Sequence, residues 1–161
     1  MAMSTRADAA APVVDLAFLL AHASHVLSTE LTAALGGLGI TPRANCVLSA
    51  ALAGDRTQIQ LADMCQLDKT TMVVTVDELE KAGLVERQTS PTDRRARIIV
   101  VTDKGRLVHE QAREVVAKVY EDVLSALPEP DRTGFLTGLT RLVDDRLSTP
   151  VACQRAPRRR M

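Results

Sequence analysis

Residues 67–106 read LDKTTMVVTVDELEKAGLVERQTSPTDRRARIIVVTDKGR, and this stretch decides the fold. Met72, Val76 and Leu79 share one side of a 3.6-residue wheel, so residues 69–82 are expected to form a helix that turns them toward a core. Asp68 is placed to cap its start. Gly83 is placed to end it, because glycine reaches the left-handed backbone that closes a helix without steric cost. Leu84 then falls where it can pack back on Leu79, as a Schellman stop requires. Residues 84–89 and 97–101 read as strands joined by a polar loop, 90–96, with arginines at its tip. Helix, stop and charged hairpin in that order make a winged helix-turn-helix: a rod for one groove of double-stranded DNA and a finger beside it. The chain reads as a DNA-binding regulator.

The face of this helix away from the core carries Thr70, Val73, Val74, Asp77 and Lys81, with Lys69 on its flank. Two valines on a solvent face need a cover, and the 5-methyl group of thymine in the major groove is a suitable one. Packing of those valines against a neighbouring element is the plainer alternative. Lys69, Thr70, Thr71, Val73, Val74 and Asp77 are the expected contacts of the reading helix. At the wing, Arg94 and Arg95 suit the enhanced negative potential of a narrow minor groove. Asp93 is expected to brace a neighbouring arginine, Arg95 or Arg97, and so hold the loop in shape.

Working outward, the 161 residues suffice for one domain with a real core. Aromatic residues are only 2%, so that core must be built from Leu, Val, Ala and Met. The formal charge is zero, yet residues 87–106 hold six cations (Arg87, Arg94, Arg95, Arg97, Lys104, Arg106) against Asp93 and Asp103. Counterion release depends on where cations sit, so a neutral protein with one basic face binds DNA. Cys46, Cys65 and Cys153 are odd in number and lack metal-ligand spacing, which points to free thiols in a reducing cytoplasm. No apolar run approaches the roughly 20 residues a membrane span needs, and the N-terminus lacks the apolar segment of a secretion signal. No metal or cofactor is expected.

The fold class expected is mostly α with a small β-wing, a winged helix-turn-helix with N- and C-terminal dimerisation helices. Residues 1–12 read as a disordered arm, 13–147 as a single domain and 148–161 as a disordered basic tail. Within the domain, 41–102 form the winged part, flanked by dimerisation segments 13–40 and 103–147. The first helix, 13–35, carries Leu16, Leu19, Leu20, Ala23, Val26, Leu27, Leu31, Ala34 and Leu35 on its apolar side, and Gly36, Gly37 and Gly39 end it. Thr41-Pro42 opens a second helix with a hydroxyl cap and Pro at its first position. Residues 57–59 read as a short strand, 60–65 as a small third helix, and Thr102 as the cap of a fifth helix over 103–127. Leu107, Val108, Ala112, Val115, Val116, Val119, Val123 and Leu124 form its inward face. Pro128 and Pro130 break that helix, and a sixth follows over 131–147 with Phe135, Leu136, Leu139, Leu142, Val143 and Leu147. The outer helices are more apolar than the small winged part can cover, so they are expected to pack on one another and on a second copy.

Three blocks resemble the MarR (multiple antibiotic resistance regulator) family: residues 79–87 (LEKAGLVER), 91–95 (PTDRR) and 101–105 (VTDKG). Residues 38–42 (LGITP) resemble its entry to the second helix. The resemblance implies a homodimer whose lobes meet a pseudo-palindrome in successive major grooves, about 34–36 Å apart. It also implies a repressor released by a small-molecule effector, often phenolic or carboxylate, bound between the dimer helices and the winged lobe. By position, Arg95 is the wing arginine entering the minor groove, with Asp93 as its brace. Asn45 stands where many members carry a bulky aromatic, and the early cysteine of the family's peroxide sensors is missing.

His22 and Asn45, with His25 nearby, are the expected lining of an effector pocket; the histidines are otherwise surface or satisfied core residues. A constitutive repressor without effector and a winged-helix protein-interaction module are the competing readings. No nucleophile–base order, phosphate-cradling glycine loop or paired-acid site suggests an enzyme, and Glu80 with Lys81 reads as ordinary helix surface. Arg95→Ala should weaken binding on every duplex and lower the slope of log affinity against log salt by about one unit, measured by fluorescence anisotropy.

Overall fold

The computed structural model describes residues 14–91, 93–94 and 96–149. The expected arm, the expected tail beyond Thr149, and Arg95 lie outside the described residues. In chain order the elements are α1 (Leu16–Gly36), α2 (Pro42–Leu52), β1 (Arg56–Thr57), α3 (Gln58–Met64), α4 (Lys69–Lys81), β2 (Val85–Thr89), β3 (Arg97–Val101), α5 (Asp103–Ser125) and α6 (Glu129–Asp144). The chain is mostly helical, with one antiparallel sheet in the order β1-β3-β2. It divides between Val119 and Tyr120 into two compact units.

The core of the first unit gathers apolar residues from α1 to α5. Leu35, Val47, Leu48, Leu61, Met72, Val76, Leu79, Val85, Ile99 and Ala112 are all buried within it. Met72, Val76 and Leu79 are at most 2% exposed, as the wheel requires. Burying each such side chain contributes roughly 1.5–3 kcal/mol, and this fixes the face that α4 turns inward. Thr75 joins them by donating its hydroxyl to the Thr71 carbonyl at 2.8 Å, so its polar atom enters the interior satisfied.

Local caps set the helix starts. Asp15, Thr41 and Asp68 accept from the backbone N–H of Phe18, Ala44 and Thr71 respectively. The third helix begins two residues before the expected position, because Thr57 and Gln60 form a reciprocal capping box. Thr57 also ends β1, so the strand is Arg56–Thr57 and not 57–59. The fifth helix ends at Ser125, ahead of Pro128 and Pro130 as expected, and Pro130 then sits in the first turn of α6, where a missing N–H costs nothing, so α6 starts at Glu129 and not at 131. At the end of α1 only Gly39 takes a left-handed backbone, at φ 69°, while Gly37 stays right-handed.

The end of α4 is a full Schellman stop. The Leu84 N–H donates to the Leu79 carbonyl and the Gly83 N–H to the Glu80 carbonyl, both at 2.9 Å, with Gly83 at φ 71°. Two carbonyls left over at this end are taken by the start of α5. Thr102 donates its hydroxyl to the Gly83 carbonyl at 2.8 Å, and Lys104 donates from Nζ to the Ala82 carbonyl at 2.7 Å. The same Thr102 oxygen accepts the Gly105 N–H at 3.0 Å, so one hydroxyl closes α4 and opens α5. Gly105 rests directly on this junction: a Cβ there would lie 2.1 Å from the Leu84 carbonyl oxygen.

The outer helices leave apolar residues exposed, and on α5 the buried line departs from the expected one. In α1 only Leu31 and Leu35 are buried, and Leu16, Phe18, Leu19 and Val26 are exposed. Leu107, expected inward, is 62% exposed, while Gly105, His109 and Ala112 form the buried line of α5. The second unit holds α6, which buries none of its residues and exposes Phe135, Leu136, Leu142, Val143 and, just past its end, Leu147.

Gly105→Ala should cost about 3 kcal/mol by overpacking. Gly83→Ala, with open space around it, should cost only the left-handed strain of about 1–2 kcal/mol. Urea unfolding followed by circular dichroism should give that order.

Candidate nucleic-acid interface

The outward face of α4 carries exposed Lys69, Thr70, Val73, Val74, Asp77, Glu78 and Lys81. Val73 is 37% exposed and Val74 51%, and each lies on a helix whose other side is fully buried. Along one flank of this face runs an open groove of about 560 Å³, lined among others by Ser28, Thr32, Arg43, Thr70, Val74 and Glu78. Hydroxyls, one guanidinium and the valine thus form a continuous strip from α4 to the start of α2.

Two of the expected helix contacts are otherwise engaged. Thr71 is only half-exposed, and its hydroxyl donates to the Asp68 carboxylate at 2.5 Å, completing the cap. This bond and the backbone bond from Thr71 hold the Asp68 carboxyl below its ordinary pKa. Asp77 is exposed, but its carboxylate binds Arg87 of β2, which also binds Glu80. Burial works against the charged guanidinium, yet the two carboxylates outweigh it and hold Arg87 above its ordinary value. The Arg87 backbone N–H adds a further bond to Glu80 at 3.2 Å. Glu80 is therefore no ordinary surface residue; with Asp77 it clamps α4 to the wing strand.

The wing is a five-residue-a-side hairpin in register from Val85↔Val101 to Thr89↔Arg97. Its loop is tied internally: the Ser90 N–H donates to the Ala96 carbonyl, and the Ala96 N–H to the Asp93 carbonyl, each at 3.0 Å. The Asp93 N–H reaches Ser90 Oγ at 3.3 Å. Arg97 Nη1 donates to Thr89 Oγ1 at 2.6 Å across the hairpin, so the partner it shows is Thr89 and not the Asp93 carboxylate. Of the six cations in the run, Arg87, Arg97 and Lys104 are bonded within the lobe, Arg94 and Arg106 are exposed, and Arg95 lies outside the described residues.

Among the described residues, no hydrogen bond or ring contact joins His22 or His25 to Asn45. His22 is exposed and stacks on Phe18 with ring centroids 5.6 Å apart, and His25 is exposed one turn on. Asn45 is half-buried, and its Oδ1 lies 3.2 Å from Nδ1 of His109, joining α2 to α5. His109 is 8% exposed. Among the described residues no group of His, Cys, Asp and Glu is arranged to hold a metal ion.

The comparisons match this geometry. The MarR family model covers residues 38–96. A structure of the transcriptional repressor CouR bound to a 23-mer DNA duplex is 30% identical, with a TM-score of 0.72, over 80% of this chain and 92% of that one. This chain belongs to the MarR family. CouR from Rhodococcus jostii RHA1 bound to p-coumaroyl-CoA is 26% identical, with a TM-score of 0.73, over 88% of this chain and 96% of that one. BldR from Sulfolobus solfataricus, a transcriptional regulator, is 28% identical, with a TM-score of 0.72, over 80% and 92% of the two chains. Membership makes the chain a DNA-binding transcriptional regulator with a winged helix-turn-helix. No described helix is long and apolar enough to cross a membrane.

Sequence reasoning missed the Arg87 clamp, which reaches back 7 and 10 positions across the helix stop, and the Asn45–His109 pair, 64 positions apart. The capping box at Thr57 and Gln60 was there to be read. Burial lowers the His109 pKa, with Arg113 adding to this and Glu110 opposing it. The unfolded chain thus takes up that proton first, so this contribution to stability is present above the ordinary imidazole pKa of about 6.5 and falls as pH drops below it. His109→Gln should flatten that part of the Tm-against-pH curve between about pH 7 and pH 5.

Proposed function

We propose that the protein is a homodimeric, cytoplasmic repressor that binds a pseudo-palindromic operator and leaves it when a small effector binds. The observation that carries this reading is the exposed face of α4, Lys69, Thr70, Val73 and Val74, beside a hydroxyl-lined groove on a helix otherwise locked to its lobe. Val73 and Val74 suit thymine methyl groups, Lys69 and Thr70 suit base edges or phosphate, and Arg94 and Arg95 suit the adjacent minor groove. Asp93 shapes the loop that presents those arginines. Asp77 and Thr71 act through position, the first by holding Arg87 and the second by completing the helix cap.

The exposed apolar residues of α1 and α6 supply the surface for a second copy, which a two-fold operator requires. The likeness to CouR, whose structures include complexes with DNA and with p-coumaroyl-CoA, supports an aromatic or carboxylate effector. Such an effector need supply only about 1–3 kcal/mol of coupling to change operator affinity roughly 5–150-fold.

The test combines sedimentation with footprinting of the intergenic DNA beside the gene. The expected result is a dimer protecting two half-sites one helical turn apart, with release by aromatic acids or their coenzyme A thioesters. A monomer without preference for any two-fold site would overturn the reading, and operator binding indifferent to all such compounds would leave a constitutive repressor.

A further inference from the structure

We propose that Gln66, in the turn between α3 and α4, is a further DNA contact: its side-chain amide donates to a backbone phosphate at the edge of the groove that α4 enters. Both helices of this motif end in the same stop. After α3, the Leu67 N–H donates to the Ala62 carbonyl at 2.9 Å and the Gln66 N–H to the Asp63 carbonyl at 3.2 Å. After α4, Leu84 and Gly83 make the same two bonds. The left-handed position is held by Gly83 in one stop, at φ 71°, and by Gln66 in the other, at φ 52°. Gln66 has the one positive φ outside glycine among the described residues.

Glycine takes that backbone freely, whereas in other residues the Cβ crowds the following carbonyl, and only Asn and Asp visit it with any ease. Gln66 is therefore strained at a position that glycine fills in the chain's other stop. The surroundings enforce the strain: two backbone bonds close the turn, and Leu67 packs against the core of the first unit. No contact within the fold accounts for the side chain. Gln66 is exposed, and among the described residues no group bonds its amide. Strain kept for a side chain without an internal partner points to a partner outside the molecule.

Position names that partner. Gln66 stands just ahead of the Asp68 cap and of Lys69 and Thr70, all exposed at the entering end of α4. In a helix-turn-helix the first residues of the reading helix meet base edges, and the turn ahead of them lies toward the sugar-phosphate strand. Glutamine is among the side chains that donate to phosphate oxygens, and such contacts set register without reading sequence. Asp68 puts a carboxylate at the same edge, bonded to the Thr71 N–H and hydroxyl. Donors on either side of it, the Gln66 amide and the Lys69 ammonium, offset its repulsion of phosphate. A neutral amide displaces no counterion, so its share of the affinity does not depend on salt. The inference rests on the presentation of α4 to DNA proposed above.

The test compares the full-length wild type, Gln66→Gly and Gln66→Lys on the footprinted promoter fragment and on a random-sequence duplex of equal length, across a salt series. Gln66→Gly removes amide and strain together. It should raise Tm by about 2–4 °C yet weaken binding to both duplexes at least about tenfold, with the salt slope unchanged. A residue that served the turn alone would show the gain in Tm with affinity kept. Gln66→Lys keeps the reach and the donor and adds a charge, so it should bind at least as tightly as wild type. Its slope of log affinity against log salt should steepen by about one unit per protomer. Wild-type affinity in Gln66→Gly, a loss confined to the promoter fragment, a lowered Tm, or Gln66→Lys as weak as Gln66→Gly would each overturn the proposal. If the wild type binds neither duplex, the repressor reading falls and this contact with it; if it binds both and Gln66→Gly matches it, the contact alone falls.

Discussion

A single hydroxyl organises this lobe. Thr102 donates to the Gly83 carbonyl and accepts the Gly105 N–H, so the reading helix ends and α5 begins on the same oxygen atom. Gly83 must turn left-handed to bring its carbonyl there, and Gly105 must lack a side chain to let the Leu84 backbone approach. Lys104 adds a charge at the negative end of α4, where the helix dipole favours it. Everything downstream inherits that junction, because β2 leaves it in one direction and α5 in another.

The clamp from Arg87 to Asp77 and Glu80 does the same work one turn away. It spends cationic and acidic groups on the angle between helix and wing instead of on DNA. A net charge of zero therefore hides two populations of charged side chains. Some hold the lobe in shape and are satisfied within it; others, such as Lys69 and Arg94, face solvent. Exposed ion pairs contribute only about 0–1 kcal/mol, so the clamp matters for orientation more than for stability.

What the sequence disclosed followed from local rules. Asp68, Thr41 and Gly83 announce helix ends through chemistry confined to a few residues, and the hairpin follows from two apolar runs with a polar loop between them. The burial of Met72, Val76 and Leu79 follows from periodicity alone. Leu107 escaped because periodicity gives the spacing of an apolar stripe, not which of two adjacent stripes meets the core. Asn45 and His109, 64 positions apart, and Arg87 with its two acids pair only through tertiary geometry that no spacing rule encodes. His22 and His25 were legible as residues of the first helix, where both lie exposed.

Thr57 belongs to two elements at once: it pairs with Ile98 of the central strand and caps α3. Through it, the wing and the first helix of the reading motif share a backbone joint. The spacing of α4 from the β2–β3 hairpin is thereby anchored at a residue of its own. If the two grip neighbouring grooves as proposed above, that spacing is a gauge of duplex width, and a sequence that bends easily to it gains affinity even at base pairs no side chain touches.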